Sequence, residues 1–286
     1  MKAVAEIRPS PIAGRWYPAD KELLAESVDE YIQSAKLPNI EGEVVGVIAP
    51  HAGHLYSGPV AGYAFAALRG LKPEIVVIVS PMHYPYPQPF LTSAHSAYQT
   101  PLGIVKIDKK FIQSVQHDMM TELGLELTSV ANDQEHSLEI ELPFLQRVLD
   151  QEFQIAPIMV REYNLRIIRE FGRILARNLQ GKKYILVAST DLSHFYPQEQ
   201  AEVFDGELLR RLAKFDPELV FHAEDEGVGF ACGRSAVAAV LWAAKELGAN
   251  HVQLLHYGTS GDVTGDFSQV VGYGAAVITR KAQEKG

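Results

Sequence analysis

Two histidines and a cysteine carry the metal-binding chemistry that this sequence suggests. His51 follows the apolar run Val44–Ala49, and His83 follows a second apolar run, Ile75–Ser80. Cys232 stands just before another long apolar stretch that has helical character. Neutral imidazoles and thiolates are ligands that transition metals prefer in proteins. We therefore predict a metal site formed by His51, His83 and Cys232.

Each of these residues also has a purely structural interpretation. A histidine at the end of a strand can serve only to bond a backbone carbonyl, and a lone buried cysteine can be an inert apolar side chain. His51 and His83 each follow a predicted strand at a similar distance, and this matched placement favours a shared metal site. For Cys232, the beginning of a helix and the adjacent Arg234 would both lower the pKa of the thiol and favour the thiolate.

Other titratable residues could move protons or support the ligands. Asp191 and His194 follow the apolar run Tyr184–Ser189, and we interpret them as a catalytic base with the carboxylate that orients it. The alternative is a helix-capping aspartate beside a solvent-facing histidine. Glu135 and His136 precede a helix-like stretch, where they either support the ligands or belong to a helix cap. The other histidines are expected in a pocket wall or at the surface (His54) or in structural roles (His95, His117, His222, His251, His256).

Predicted strands and helices alternate along much of the chain. Six apolar runs rich in β-branched residues predict buried strands: Val44–Ala49, Ile75–Ser80, Ile155–Val160, Tyr184–Ser189, Val252–His256 and Val270–Ile278. Helical patterns include one capped by Asp20, one over Leu165–Leu179, one over Leu138–Leu149 interrupted by Pro143, and a buried one over Ser235–Leu247 ended by Gly248.

This alternation predicts one α/β domain over residues 1–286, with a mostly parallel central sheet covered by helices on both faces. Ligands bind such sheets beyond the carboxyl ends of the strands. Four of the predicted strands are followed there by polar, mostly titratable residues. The predicted metal ligands therefore share one edge of the sheet.

Composition narrows the class of partner. The 286 residues contain 26 Lys and Arg against 35 Asp and Glu, a net charge of −9, which argues against nucleic acid and anionic membranes as partners. Ala236–Ala244 is the longest apolar run and is too short to cross a bilayer. Met1–Pro9 lacks the apolar core of a secretory signal, and a single cysteine fits a reducing compartment. We expect a soluble, cytoplasmic protein.

Several motifs in order resemble the Memo family, also called AmmeMemoRadiSam system protein B. They lie at residues 14–18 (GRWYP), 49–59 (APHAGHLYSGP), 80–83 (SPMH), 135–139 (EHSLE), 142–145 (LPFL), 189–194 (STDLSH), 232–234 (CGR) and 259–262 (TSGD). Memo proteins resemble class III extradiol dioxygenases, non-haem iron enzymes that open catechol rings. The resemblance therefore implies the α/β fold of those enzymes.

The resemblance also implies roles for individual residues. His51 and His83 occupy the two histidine positions of the dioxygenase iron site, and Cys232 stands where those enzymes carry a glutamate. His194 matches the histidine that acts as acid and base near bound oxygen, with Asp191 beside it. The resemblance implies divalent iron. A thiolate in place of a carboxylate favours copper, zinc or a more thiolate-like iron site, or a site with no metal.

Two classes of function follow from this resemblance. The first is a non-haem, dioxygenase-like oxidoreductase that takes a small aromatic molecule, with a radical-SAM protein of the same system as a partner. The alternative is a non-enzymatic binding or signalling module that captures a peptide or partner protein in the old cleft, as the signalling role of the animal relative suggests. A zinc hydrolase using Asp191 or Glu135 is a third interpretation. In each case Glu135, His136, Arg234 and Tyr84 are expected around the pocket.

Overall fold

A twelve-stranded mixed sheet forms the centre of the computed structural model, which describes residues 5–282. Residues 1–4 and 283–286 lie outside the described part. The predicted single domain includes both ranges, and the segment Met1–Pro9, expected not to be a secretory signal, begins in the first of them. The strands are β1 Ile7–Arg8, β2 Glu43–Ala49, β3 Ile75–Pro81, β4 Phe90–Ser93, β5 Ala97–Thr100, β6 Gly103–Ile107, β7 Leu127–Val130, β8 Gln154–Val160, β9 Tyr184–Ser189, β10 His194–Tyr196, β11 His251–Thr259 and β12 Val270–Arg280.

Nine α-helices and one 3₁₀ turn connect these strands within residues 5–282. The helices are α1 Lys21–Ser34, α2 His54–Ala66, α3 Lys109–Leu123, α4 Leu142–Val148, α5 Leu165–Leu179, α6 Gln198–Ala213, α7 Pro217–His222, α8 Arg234–Glu246 and α9 Gly261–Thr264, and the 3₁₀ turn is Glu139–Glu141. None of the helices described is both long enough and apolar enough to cross a bilayer.

The middle of the sheet is parallel, with the neighbours β8, β3, β9 and β2 all running in one direction. β12 then runs antiparallel to β2, and β11 runs antiparallel to β12. All six predicted strands lie within observed ones. Every residue of β3 is buried, which is why this strand is a continuous apolar run rather than an alternating one. The predicted α/β fold with a mostly parallel sheet is confirmed.

Helices α5 and α8 pack closely against each other. Their contact explains a glycine, because a Cβ on Gly172 would lie 2.7 Å from the backbone oxygen of Ala239. α8 is buried along most of its length, as its sequence predicted, and the chain leaves it through Gly248, whose φ of +87° suits glycine.

The stretch over residues 138–149 differs from the prediction. Pro143 does not interrupt a helix there but lies in the first turn of α4, where its missing amide proton leaves no intrahelical hydrogen bond unmade. The 3₁₀ turn before it carries Glu139 and Glu141, and both carboxyl groups are buried. This turn leads from the loop that contains His136 into the core.

Candidate metal centre

The site lies at the carboxyl edge of the parallel strands. His51 comes two residues after the end of β2, His83 two residues after β3, and Asp191 two residues after β9. These three strands are neighbours and run in the same direction, so their ends meet. His136 joins them from the loop between β7 and the 3₁₀ turn.

Three imidazoles converge at this edge. One ring nitrogen from each of His51, His83 and His136 lies within 4.8 Å of the other two, and such a group could hold a metal ion. The ring centroids of His51 and His83 are 5.2 Å apart, and His136 stacks on His83 with centroids 4.7 Å apart. Trp16 in turn stacks on His136 at 4.0 Å.

Hydrogen bonds fix the orientation of these rings. His51 Nδ1 is 2.8 Å from Ser189 Oγ, and His83 Nδ1 is 2.9 Å from Glu135 Oε1. His136 Nδ1 lies 3.3 Å from the same Glu135 oxygen. With Nδ1 of His51 and of His83 held from behind, the Nε2 atoms of these two rings are left for a ligand, which is the arrangement that supporting residues impose at metal sites. Glu135 therefore orients the His83 ring and accepts a hydrogen bond from the His136 amide, in agreement with one of its two predicted roles.

The electrostatics keep the rings in the form that binds metals. Burial, together with the charge that His83 would carry, holds the pKa of His51 well below its usual value. Burial lowers the pKa of His136 to about 4. Burial alone would raise the pKa of Glu135, but hydrogen bonding and charge from His83 outweigh it and the pKa falls. At neutral pH, His51 and His136 are thus neutral beside an ionised carboxylate.

Cys232 lies against His51, outside the compact set of three histidines. Its Sγ is 3.2 Å from His51 Nε2 and accepts a hydrogen bond from the Asp191 amide at 3.3 Å. Among residues 5–282, the group of three or more donors that all lie within 4.8 Å of one another consists of His51, His83 and His136, without Cys232. Coordination by Cys232 therefore stays a prediction.

Arg234 does not act on the thiol as expected. Its guanidinium donates to Asp225 at 2.7 Å and lies over the rings of Tyr163 and Phe221, on the α7 side of α8. Burial, reinforced by the charge of Asp191, raises the pKa of Cys232. The expectation that Arg234 would lower it is wrong, because the guanidinium is engaged elsewhere.

Asp191 and His194 lie near the histidines without pairing with each other. Asp191 Oδ1 accepts a hydrogen bond from the His51 amide at 2.7 Å, and burial raises the pKa of Asp191 to about 7. The His194 ring is oriented through its Nδ1 by the Leu192 carbonyl at 2.8 Å. A backbone carbonyl thus takes the orienting role that we expected of Asp191, and Asp191 holds the backbone of a predicted ligand instead.

A groove leads away from the centre along β12. It encloses about 480 Å³, and its lining includes Trp16, Ala52, Tyr56 and Tyr273. Trp16 also stacks on His136, so the groove begins beside the cluster. Tyr84, expected around the pocket, is 43% exposed.

A buried ionic cluster behind the site was missed in the sequence. Arg8, which is 1% exposed, donates to Asp133 Oδ1 at 2.8 Å, to Glu139, and to the carbonyl of Glu135 at 2.9 Å. Tyr17 also donates to Glu139, at 2.6 Å. The alternation of Glu139 and Glu141 with Leu138, Ile140 and Leu142 was the available signal, because carboxylates in an apolar segment are rarely buried without a partner.

His54 is buried rather than at the surface. Its environment indicates how the free energy of unfolding depends on pH. Its Nε2 is 3.0 Å from the Ile140 carbonyl, whereas Nδ1 has no hydrogen-bond partner among the described residues. Burial lowers its pKa to about 4. Between pH 6.5 and about 4 the unfolded chain therefore binds a proton that the folded protein excludes.

We expect the free energy of unfolding to fall by about 3 kcal/mol from this residue as the pH drops through that range. Urea unfolding at pH 7 and pH 5 should show a smaller loss in His54→Gln, which keeps a donor for Ile140 but does not titrate. Equal losses in both proteins would contradict this assignment.

The fold and site define an α/β protein with a histidine cluster at the carboxyl edge of its sheet. Residues 8–277 match the family described as Memo-like protein. Proteins named as MEMO1 family members are similar along almost their whole length: 35% identity to one from Nitrosopumilus maritimus, over 94% of this chain and 98% of the relative, and 36% to one from Methanopyrus kandleri, over 96% and 99%. The chain belongs to the Memo family.

Proposed function

We propose that this protein binds a redox-active metal at the histidine cluster and acts as a non-haem, dioxygenase-like oxidoreductase. The observation that carries the proposal is the convergence of three ring nitrogens, from His51, His83 and His136, within 4.8 Å. Divalent iron is the proposed metal, with copper and zinc as alternatives, and Cys232 is proposed as a further ligand from its 3.2 Å approach to His51.

Bound iron would supply open positions for a substrate and oxygen, as in related non-haem sites. The chain's own residues would orient the substrate and move a proton. His194 donates its Nδ1 proton to the Leu192 carbonyl, which leaves the Nε2 lone pair free to accept a proton. Burial lowers the pKa of His194, so the ring is a neutral base at pH 7. The aromatic walls of the groove, Trp16 and Tyr56, suit a small aromatic substrate.

The test begins with metal-free protein prepared without oxygen. Titration with Fe(II), Cu(I) and Zn(II) is expected to give one ion per chain, with His51→Ala binding none of them measurably. Oxygen consumption by the iron-loaded protein is then followed on a panel of catechols. Failure of all three metals to bind the wild-type protein would end the proposal, whereas binding without oxygen consumption would limit it to metal binding.

The second candidate is a non-enzymatic module that uses the cleft to capture a peptide or a partner protein, including a radical-SAM protein of the same system. The groove beside Trp16 favours it, because about 480 Å³ of partly apolar space extends well beyond the histidines. Binding to that radical-SAM protein that survives simultaneous replacement of His51, His83 and Cys232 would support this function over the first. The single cysteine supports a cytoplasmic location for either function.

The hydrolase interpretation loses support from the hydrogen bonds of its two candidate carboxylates. Asp191 is occupied by the His51 amide, and Glu135 accepts from both the amide and the ring of His83. Both carboxylates thus hold a predicted metal ligand in place, which is a supporting role.

Glu135→Gln is expected to weaken metal binding about 10- to 100-fold, in the range found for residues that support ligands. An amide would turn its NH₂ group toward donors, since the carboxylate now accepts from His83 and from the amides of His136 and Ser137. Calorimetric titration with Zn(II) measures the change. Glu26→Gln, an exposed substitution on α1, is the matched control. Equal affinities for the two variants would contradict this role for Glu135.

A further inference from the structure

Ser189 makes three hydrogen-bonding contacts with a single proton. Its Oγ is 2.8 Å from His51 Nδ1, 2.7 Å from the carbonyl oxygen of Ser137 and 2.7 Å from Glu141 Oε1. A hydroxyl group donates one hydrogen bond and accepts two. The Ser137 carbonyl can only accept, so the Ser189 proton must point there if all three contacts are hydrogen bonds. The other two partners must then donate to Ser189.

We propose that Glu141 is a neutral carboxylic acid and a positioning residue for His51, acting through Ser189. In this arrangement Glu141 donates its proton to Ser189 Oγ, and His51 donates from Nδ1 to the same atom. The tautomer of His51 is then fixed, with its Nε2 lone pair directed away from Ser189 toward the site. The role of Glu141 in metal binding rests on the proposed function, whereas its protonation does not.

The surroundings of Glu141 favour the neutral acid over the carboxylate. The side chain is fully buried, and its Oε2 has no hydrogen-bond partner among the described residues. Burying a carboxyl oxygen without a hydrogen-bond partner costs far less free energy when the group is neutral than when it is ionised. Burial raises the pKa of Glu141 well above its usual value, and the nearby charge of Asp191 adds to the shift.

The competing arrangement has an ionised Glu141 that accepts the Ser189 proton. It would leave the Ser137 carbonyl without that proton and the charged carboxylate with a bare oxygen. Because both groups are buried, this arrangement is the less stable of the two. The two arrangements differ in one observable, the protonation of Glu141.

Infrared spectroscopy of the metal-free protein at pH 8 tests the protonation directly. We expect the C=O stretching band of a protonated carboxylic acid in the wild type, lost in Glu141→Gln and retained in Asp205→Asn, which changes another buried carboxyl group. A Glu141→Gln spectrum that retains every such band would overturn the proposal.

Metal titration tests the positioning role. Ser189→Ala and Glu141→Leu are expected to bind Zn(II) about 10- to 100-fold more weakly than the wild type. Glu141→Gln keeps an N–H donor for Ser189 and is expected to bind more tightly than Glu141→Leu. Wild-type affinity in Ser189→Ala, a small change that removes the hydroxyl, would overturn the positioning role even if Glu141→Leu fails to fold. A wild-type protein that shows the band but binds no metal would refute the proposed function while leaving the protonation of Glu141 standing.

Discussion

His83→Ala is expected to lower the affinity for a divalent metal by more than about 100-fold, beyond the loss typical of a residue that only supports a ligand. The substitution removes one of three converging ring nitrogens. It also removes the N–H that donates to Glu135 Oε1, so a buried carboxylate loses a partner next to the site. His83 is about one-third exposed, unlike His51, so its loss should disturb the core least among the ligands.

Calorimetric titration with Zn(II), supported by metal analysis after dialysis, measures this loss. His222→Ala is the matched control, because that histidine lies on α7 away from the cluster, with its side chain 45% exposed and paired with Asp225. The two variants should unfold at similar urea concentrations and differ in metal content alone. Similar metal affinity in both would mean that the cluster does not hold the ion.

The same titration on His136→Ala and Cys232→Ala separates two possible ligand sets. The compact geometry predicts that His136→Ala behaves like His83→Ala. A comparable loss in Cys232→Ala would add the thiolate to the set, since its sulfur is already 3.2 Å from His51 Nε2. Unchanged affinity in Cys232→Ala would mean that the half-buried cysteine is not a ligand.

Arg8→Met is expected to lower the free energy of unfolding by about 3–5 kcal/mol, the usual cost of removing one partner from a buried ion pair. Methionine keeps much of the side-chain volume but leaves Asp133 and Glu139 buried without their cation. The carbonyl of Glu135 also loses a donor at 2.9 Å. Because Glu135 supports two of the histidines, we expect weaker metal binding as well.

Urea unfolding followed by circular dichroism measures the loss of stability, with m-values compared to confirm that the surface exposed on unfolding is unchanged. Arg147→Met removes an exposed ion pair to Asp29 and should cost only about 0–1 kcal/mol. Equal stabilities of the two variants would show that the buried cluster contributes little more than a surface pair.

Regular elements were predictable from the sequence because their side chains repeat with the period of the backbone. β9 lies where its apolar run predicted, and the rule that ligands bind at carboxyl ends brought His51 and His83 to one edge. Loop positions have no such period. His136 was expected beside the pocket rather than among the donors, and nothing local indicated that Arg8 would be buried against a loop more than a hundred residues away.

Orientation was harder to predict than position. The residues at 191 and 194 are near the site as expected, but the direction of each side chain depends on which backbone group its neighbour presents. Leu192 offers its carbonyl to His194, and the amide of His51 occupies Asp191. The side chain of Arg234 shows the same effect. The Phe221 ring and the Asp225 carboxylate hold its guanidinium away from the thiol.

The distance along the chain between interacting residues has a consequence for synthesis on the ribosome. Arg8 emerges 125 residues before Asp133, and His51 emerges 181 residues before Cys232. Contacts so remote in sequence cannot form until the later residue has been translated, and closing such long loops is slow. A nascent chain that stops short of α8 would leave His51 without its contact to Cys232 and the groove without Tyr273, so the pocket would be completed only near the end of translation.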